Sequence, residues 1–481
     1  MATTITSKIT RLNTNVVEAS EPSQLQQSGV VLSFGGTTLT SQSSGIVMRG
    51  GYPTLFIGQQ SLLTPGVSGS ILSSAGNYIE LANMAASFFG VGSAVGFYVM
   101  EMGSALTTVA EQIAAWTTWL AANPKVFYSV LTPSEWDVGP PPAAATLTST
   151  SGGTLTATTY YVRISYLNAS SVESQLSSEV SLNVAADYLL TVDSPAAQTG
   201  MTTYNVYVGT VAGSETLQNT TPINIGTNWT EPTTGLISGT AAPVTQGDLV
   251  KAASSPNSQF YYFVTASEAN SGGYPYKSAF VFSDSPDMQA NAYDAAATFY
   301  SWLSNNPAPN SFLAGMGYRQ MPGTTAWPDE NDPDVQSILT NYANLILTGA
   351  QGGLPTTVFL FKGTLGDGSQ ASAWYGIDWV AIQMQQAINA DILNGSNRQP
   401  PLLYNQKGVE ELATVAQAVE NDAISFKCCL QATVSYVPFA TYIATNQGQQ
   451  DYGAGAYNGM SVEITAQQQF LTVTVDLTAQ F

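Results

Sequence analysis

Histidine is absent from this chain of 481 residues. That removes the commonest general base, the Ser-His-Asp and Cys-His nucleophile systems, and every metal site that uses imidazole. Cysteine is nearly absent too: Cys428 and Cys429 are the only pair, adjacent in sequence. A bridge between neighbours demands a strained ring, so two reduced, largely buried thiols and assembly inside a cell are expected. Basic residues are scarce, with 12 Lys and Arg against 32 Asp and Glu and a net charge of −20. Nucleic-acid binding needs a basic footprint, and no basic cluster exists, which excludes that class. An acidic wall suits a basic or neutral protein partner instead. Charged residues of both signs reach only 9%, against roughly 25% in an ordinary soluble protein. The polar surface must therefore come from Thr, Ser, Asn and Gln, and it repels other copies of itself weakly.

Long apolar runs are missing as well. Leu81 to Met100 is uncharged and about long enough to cross a bilayer. Gly90, Gly92 and Gly96 interrupt it, and basic or aromatic anchors do not flank it. A helix end, a turn and a buried strand over Phe97–Met100 explain it better. Residues 1–20 are polar and lack the apolar centre of a secretory signal. The chain therefore reads as soluble, without a membrane partner. Hydrophobic residues make up 44% and the mean hydropathy is +0.05, so the chain is globular rather than disordered.

Catalytic motifs are lacking. There is no Gly-x-Ser-x-Gly elbow, and no feature singles out two of the 32 acids as a glycosidase pair. Gly363 to Gly368 is a turn and not a phosphate loop, because no Lys-Ser/Thr follows. The run Asp329-Glu330-Asn331-Asp332 lacks the ligand spacing of a calcium loop and reads as helix capping. No catalytic residue, cofactor or metal is expected, and enzyme is the least favoured class.

What is present is a succession of short elements. Residues 1–21 carry Ile5, Ile9 and Leu12 among polar residues, which suits either a floppy leader or an extended arm. Val30–Phe34 and Gly45–Phe56 read as short strands. Ser104 is the expected cap of a helix to Ala122, with Leu106, Val109, Ala110, Ile113, Thr117 and Leu120 on its face and Asn123-Pro124 as its stop. Val126–Leu131 follows as a strand. Gly139 and Pro140 to Pro142 then begin a change of composition. Residues 139–243 are expected to form an inserted all-β sandwich, immunoglobulin-like or fibronectin-III-like, without the Cys pair of antibody domains. Its strands are sought at Thr159–Tyr166, Glu179–Val184, Tyr188–Val192, Tyr204–Val208 and Asn228–Thr230.

Beyond the insertion the α/β pattern resumes, so 22–138 and 244–375 read as one split α/β domain. Strands are expected at Phe260–Val264, Phe280–Phe282 and Thr356–Phe361. Helices are expected over Tyr293–Leu303, from Asp332 through Tyr342 and Leu345 to Gly349, over Ile377–Leu393 and over Val409–Ala423. The endings Trp116–Pro124 and Phe299–Pro307 resemble each other, which reads as convergence on a good stop signal ahead of duplication. Glu410, Glu411, Gln417 and Glu420 are expected on the solvated face of the last helix. Residues 376–465 complete a C-terminal α+β domain, and strands follow Phe426.

Residues 466–481 close the chain. Leu471, Val473, Val475 and Leu477 alternate with Thr472, Thr474, Asp476 and Thr478, the period of a half-buried strand. Neither proline nor a charge run covers its edge, and an uncovered edge is an invitation to pair. The expectation is an assembly protein.

In the C-terminal half the order of features is recognisable. Gly376-Ile-Asp-Trp379 leads a helix, Pro400-Pro401-Leu-Leu-Tyr-Asn405 follows, and Gly408-Val-Glu-Glu-Leu412 opens a second helix. Tyr457-Asn-Gly-Met460 then precedes the closing strands. This order resembles the tail sheath proteins of contractile-tailed bacteriophages over residues 30–138 and 244–481. The resemblance implies a structural subunit forming a helical homo-polymer, in stacked six-fold rings, around a tail tube protein. Baseplate and tail terminator proteins would bound the polymer in the virion, assembled in the host bacterial cytoplasm. It implies that arms, here 1–20 and 466–481, add strands to a neighbour, with contraction driving the tube through the host envelope. An adhesin or receptor-binding phage component, or another tail wall or baseplate protein, is the rival reading.

Overall fold

Short, nearly continuous apolar runs build the first sheet, because both of its faces are buried. The computed structural model describes residues 27–32, 39–40, 47–48, 53–56, 77–102, 106, 108–124, 126–255, 258–351 and 354–471. Before the insertion lie β1 (Ser28–Leu32), β2 (Leu39–Thr40), β3 (Val47–Met48), β4 (Pro53–Phe56), α1 (Asn77–Val91), β5 (Phe97–Glu101), α2 (Val109–Ala122) and β6 (Ser129–Leu131). After it come α3 (Gln246–Ala253), β15 (Tyr261–Thr265), β16 (Ala279–Phe282) and α4 (Asp294–Leu303). Strands from both sides share one sheet in the order β16-β15-β6-β1-β5-β4. All pairings are parallel except β4 with β5. Such a sheet must be covered on both faces, and it is. Phe97, Val99, Tyr261, Phe263, Phe280 and Phe282 lie with α1 and α4 on one face. Met100, Val130, Tyr262, Val264 and Val281 lie with α2 and α3 on the other. Burying each of these side chains is worth about 1.5–3 kcal/mol. No helix among the described residues is long and apolar enough to cross a membrane.

Helix α2 begins later than expected. Thr108 is its cap: its Oγ1 accepts the Glu111 N–H at 3.2 Å while Glu111 Oε2 accepts the Thr108 N–H at 3.0 Å. This capping box satisfies two end donors at once; Ser104 lies outside the described residues, and Leu106 precedes the helix. The buried stripe is Val109, Gln112, Ile113 and Trp116, so Thr117 is exposed.

The segment between β6 and α3 holds β7 (Leu147–Ser151), β8 (Thr158–Asn168), β9 (Val180–Val184), β10 (Tyr188–Val192), β11 (Met201–Gly209), β12 (Thr216–Leu217), β13 (Ile223–Asn224) and β14 (Trp229–Thr230). Two sheets result, β14-β10-β7 and β12-β11-β8-β9, with β13 on β11. Tyr160, Val162 and Ile164 of β8 alternate inward with Tyr204, Val206 and Val208 of β11, and they meet Leu190, Val192 and Trp229 of the other sheet in one core. Glu231, 2% exposed, is buried there because Tyr160 OH donates to it at 2.6 Å and Leu190 N–H at 3.1 Å.

The rest comprises α5 (Pro333–Thr340), β17 (Leu345–Gln351), β18 (Leu354–Phe361), α6 (Ala371–Ser396), α7 (Gln406–Ser425), β19 (Cys429–Tyr436), α8 (Asn446–Ala454) and β20 (Met460–Ala466). Single helical turns lie at Pro307–Asn310 and Phe439–Ile443. Four expectations need correction. Helix α5 stops at Thr340, because Tyr342 adopts a left-handed φ of 59°, and Leu345 to Gly349 belong to β17, paired with β18. Helix α6 starts at Ala371 and runs through Gly376, where a Cβ would lie 2.2 Å from the Cys428 carbonyl oxygen; the glycine is there for close approach. Helix α8 interrupts the expected run of strands; Thr445 caps it, and its Gln-rich sequence has no apolar stripe to reveal it. Glu420 is 7% exposed and does not lie on a solvated face.

Candidate assembly surface

Helix α7 turns through Phe426 and Lys427, the latter at φ 62°, directly into β19. Cys428 and Cys429 are free, buried thiols at this corner; burial pushes Cys428 up to about 12, which keeps it protonated and inert. β19 and β20 pair antiparallel from Gln431↔Thr465 to Tyr436↔Met460, with an irregularity between Cys429 and Gln431. Among the described residues, these two strands alone make the sheet. A two-stranded sheet is marginal by itself, and this one gains its stability from α6 and α7. Val434, Met460 and Val462 lie over Met384, Ala416 and Val419. Thr433, Ser435, Ser461, Glu463 and Thr465 point the other way and are exposed.

Glu420 reaches this hairpin from α7. Its Oε2 accepts the Val434 N–H at 3.2 Å and the Gln417 side-chain amide at 2.5 Å. Glu411 is engaged too, in an ion pair with Arg398. Of the four polar residues placed together by helical spacing, Glu410 and Gln417 are exposed.

The chain leaves β20 along a fixed path. Gln370 Nε2 donates to the Gln469 carbonyl at 2.9 Å, and Gln370 Oε1 accepts the Gln469 N–H at 2.6 Å. One side chain thus imitates a neighbouring strand. The Gln469 side chain accepts the Gly317 N–H at 3.3 Å, and a Cβ on Gly315 would overlap its amide nitrogen at 1.2 Å. Tyr318 OH then donates to the Leu471 carbonyl. Phe470 between them is 85% exposed. Leu471 is therefore anchored to the body, while Val473, Val475, Leu477, Ile5, Ile9 and Leu12 lie outside the described residues. Gln370, Gly315, Gly317 and Tyr318 carry no periodic signal, so sequence reasoning missed them.

Chemistry elsewhere is sparse. A recess of about 480 Å³ at the carboxyl ends of β6, β15 and β16 is lined by Asp137, Glu268, Asp284, Asp332 and Asp334 among others. Asp137 is occupied by the Ser267 N–H at 2.8 Å and by Tyr274 OH at 2.8 Å. Asp332 caps α5 through the Asp334 N–H at 2.9 Å, and Asp329 accepts the Asn331 N–H at 2.9 Å. Burial, then the nearby Asp294, pushes Asp284 up to about 7. Among the described residues, no three His, Cys, Asp or Glu side chains are grouped to hold a metal ion.

No family model matches this chain, and no curated protein matches it. Solved structures similar to it include two sheath tail proteins. That of Listeria innocua is 11% identical, covers 90% of each chain and gives a TM-score of 0.37. That of Desulfitobacterium hafniense is 12% identical, covers 88% of this chain and 92% of its own, and gives a TM-score of 0.34.

Proposed function

We propose that this chain is the structural subunit of a contractile phage tail sheath. It polymerises helically around a tail tube and, on a baseplate trigger, contracts to drive the tube through a host envelope. One observation carries the reading: a two-stranded sheet, packed on two helices, stands beside the anchored root of an alternating C-terminal segment. A strand from a neighbour completes such a sheet, and each added main-chain bond contributes about 0.5–1.5 kcal/mol net. Several such bonds, summed over a polymer, hold subunits together without close charge pairs, which a 9% charged sequence could scarcely supply. The order of motifs from Gly376 to Met460 supports the same family. In this reading 22–138 with 244–375, and 376–465, are the sheath domains. Residues 139–243 are an inserted immunoglobulin-like or fibronectin-III-like decoration. The role is structural and not enzymatic, and the location is the virion.

Negative-stain microscopy and sedimentation of the purified chain test this. Long tubes or stacked rings that grow with concentration are expected. Monomers or discrete trimers at high concentration would overturn the proposal and favour a receptor-binding component.

A further inference from the structure

The recess at the carboxyl ends of β6, β15 and β16 carries charge of one sign. Open parallel sheets hold ligands beyond the carboxyl ends of their strands. Its volume of about 480 Å³ falls within the roughly 300–1,000 Å³ of small-ligand pockets. Carboxylates line it, and among the described residues no Lys or Arg does. Part of that acidity serves the fold: Asp137 accepts Ser267 and Tyr274, Asp332 caps α5, and Asp334 complements the same helix start. The remainder does not. Asp284 Oδ1 is shut off from solvent and has no hydrogen-bond partner among the described residues. Thr265, the last residue of β15 and only 9% exposed, lines the recess with a buried Oγ1 that is equally unpartnered. The Tyr293 hydroxyl beside it donates instead to the Thr132 carbonyl at 3.1 Å. Burial, then the neighbouring Asp334, holds the Glu268 carboxyl above the usual carboxylate range. A buried oxygen without a donor and crowded like charges each cost free energy, and a cation relieves both.

The walls select the kind of cation. Among the described residues no three acids converge as metal ligands would. The space also exceeds that of a bare ion, since a water molecule takes about 30 Å³. Trp327 and Pro286 supply an apolar side. The Trp327 N–H is spent on the Ser283 carbonyl at 3.4 Å, which leaves the indole as a wall. An aromatic wall flanked by carboxylates suits an alkyl stem that ends in a positive head group.

We propose that this recess binds an alkyl ammonium or guanidinium group, with Asp284 and Glu268 taking the charge, Thr265 Oγ1 accepting an N–H, and Trp327 covering the stem. The site belongs to the α/β body alone and does not depend on the assembly reading above. The chain itself carries a matching group. Gln246, at the start of α3, donates to Thr132 Oγ1 at 2.6 Å just past β6, so α3 runs away from the recess. Lys251, in its last turn, therefore lies toward the opposite end of the layer. It is exposed, and its ammonium has no partner among the described residues. A head-to-tail contact between two copies brings such a lysine to the recess. A free diamine offers the same chemistry.

Isothermal titration of the full chain with the diamine cadaverine tests the site. Saturable binding is expected, with no heat from the neutral diol of the same length and no displacement by equimolar magnesium. Asp284→Asn and Glu268→Gln should each weaken binding about tenfold, whereas Asp329→Asn, outside the recess, should not. If a variant is unfolded by circular dichroism, the natural chain decides by nuclear magnetic resonance: the Thr265 and Asp284 amide signals should move as cadaverine is added. Undiminished binding by both folded variants, displacement by equimolar magnesium, or unmoved amide signals overturns the site and leaves only the diffuse field of an acidic chain. Carbodiimide coupling between isotope-labelled and unlabelled chains then identifies the source. A bond from Lys251 of one copy to Glu268 or Asp334 of another supports the site with a second copy as its occupant. Its absence beside intact cadaverine binding supports the site with a free amine. A chain that never polymerises defeats the functional reading and leaves the titration to decide the recess.

Discussion

Tyr128 and Asp378 stand 250 positions apart and meet through a 2.9 Å hydrogen bond from phenol to carboxylate. Tyr261 donates to the same oxygen at 2.8 Å. Tyr128 directly precedes β6 and Tyr261 opens β15, the two strands that flank the insertion in sequence and neighbour each other in the sheet. One carboxylate on α6 therefore ties the C-terminal helices to both halves of the α/β layer. Around it, Trp302 stacks on Tyr128 at 5.7 Å and meets Tyr375 edge-on at 4.8 Å.

Removing that carboxylate should hurt more than removing either phenol. Asp378→Ala leaves two buried hydroxyls without their acceptor, at about 1–3 kcal/mol each, whereas Tyr128→Phe loses one bond worth about 1 kcal/mol. Urea denaturation should show the larger midpoint shift for Asp378→Ala. Equal shifts would mean that the aromatic packing, and not the carboxylate, holds α6 in place.

Stability should fall as the pH rises from about 5 to 8. Burial, then Asp294, pushes Asp284 up to about 7, and burial pushes Asp294 and Asp378 up to about 6. Unfolded carboxylates titrate near 3.9, so these raised groups stabilise the fold fully below about pH 4, and that contribution is lost as the pH climbs through 6 to 7. Asp284→Asn should raise the melting temperature at pH 8, barely change it at pH 5 and flatten the profile between. A melting temperature that climbs from pH 5 to pH 8 in the natural chain contradicts the assignment.

Legibility was best for short apolar runs closed by turn residues. Tyr188–Val192 was readable to the residue because its apolar positions are bounded by turn residues and obey one rule. Phe97 and Tyr261 to Val264 were visible for the same reason. Errors arose where two rules overlapped. Leu106 extended the apolar spacing of α2 past a capping box at Thr108 and Glu111. Leu345 continued the spacing of α5 past Tyr342, whose backbone had already left the helix. Glu420 and Gln469 were beyond reach for another reason. Their roles depend on partners at Val434 and Gln370, and no local pattern announces a long-range polar contact.

Replacing residues 140–243 by a short flexible linker should leave the α/β sheet folded. The removed strands share a core of their own, and β6 already pairs with β15 without them. The cost should come from the seat of the insertion, where Val172 packs against the body and Gln175 fills the space beside Gly247. A loss of about 1 kcal/mol is expected from one half-buried apolar side chain. Chemical denaturation and microscopy check it: a cooperative transition and intact polymers are expected, and an unfolded product would show that the insertion is integral to the fold of the α/β body.

The clamp at Gln370 sets where the C-terminal segment leaves the body, so loosening it should affect assembly before stability. Gln370→Ala removes two hydrogen bonds to Gln469, and Gly315→Val drives a side chain into the place of the Gln469 amide. Both changes are at the surface of the α/β body, and the unfolding free energy from urea denaturation should fall by no more than about 1–2 kcal/mol. Deleting 472–481 keeps the clamp but removes the alternating segment. That chain should be a folded monomer at every concentration, whereas Gln370→Ala should still assemble, at a higher threshold and with irregular tubes, because the segment is present but its root wanders. Analytical ultracentrifugation across a concentration series separates the two. If the deletion assembles normally, the segment after Leu471 is not the coupling. If Gln370→Ala assembles as the natural chain does, the coupling does not need its root held.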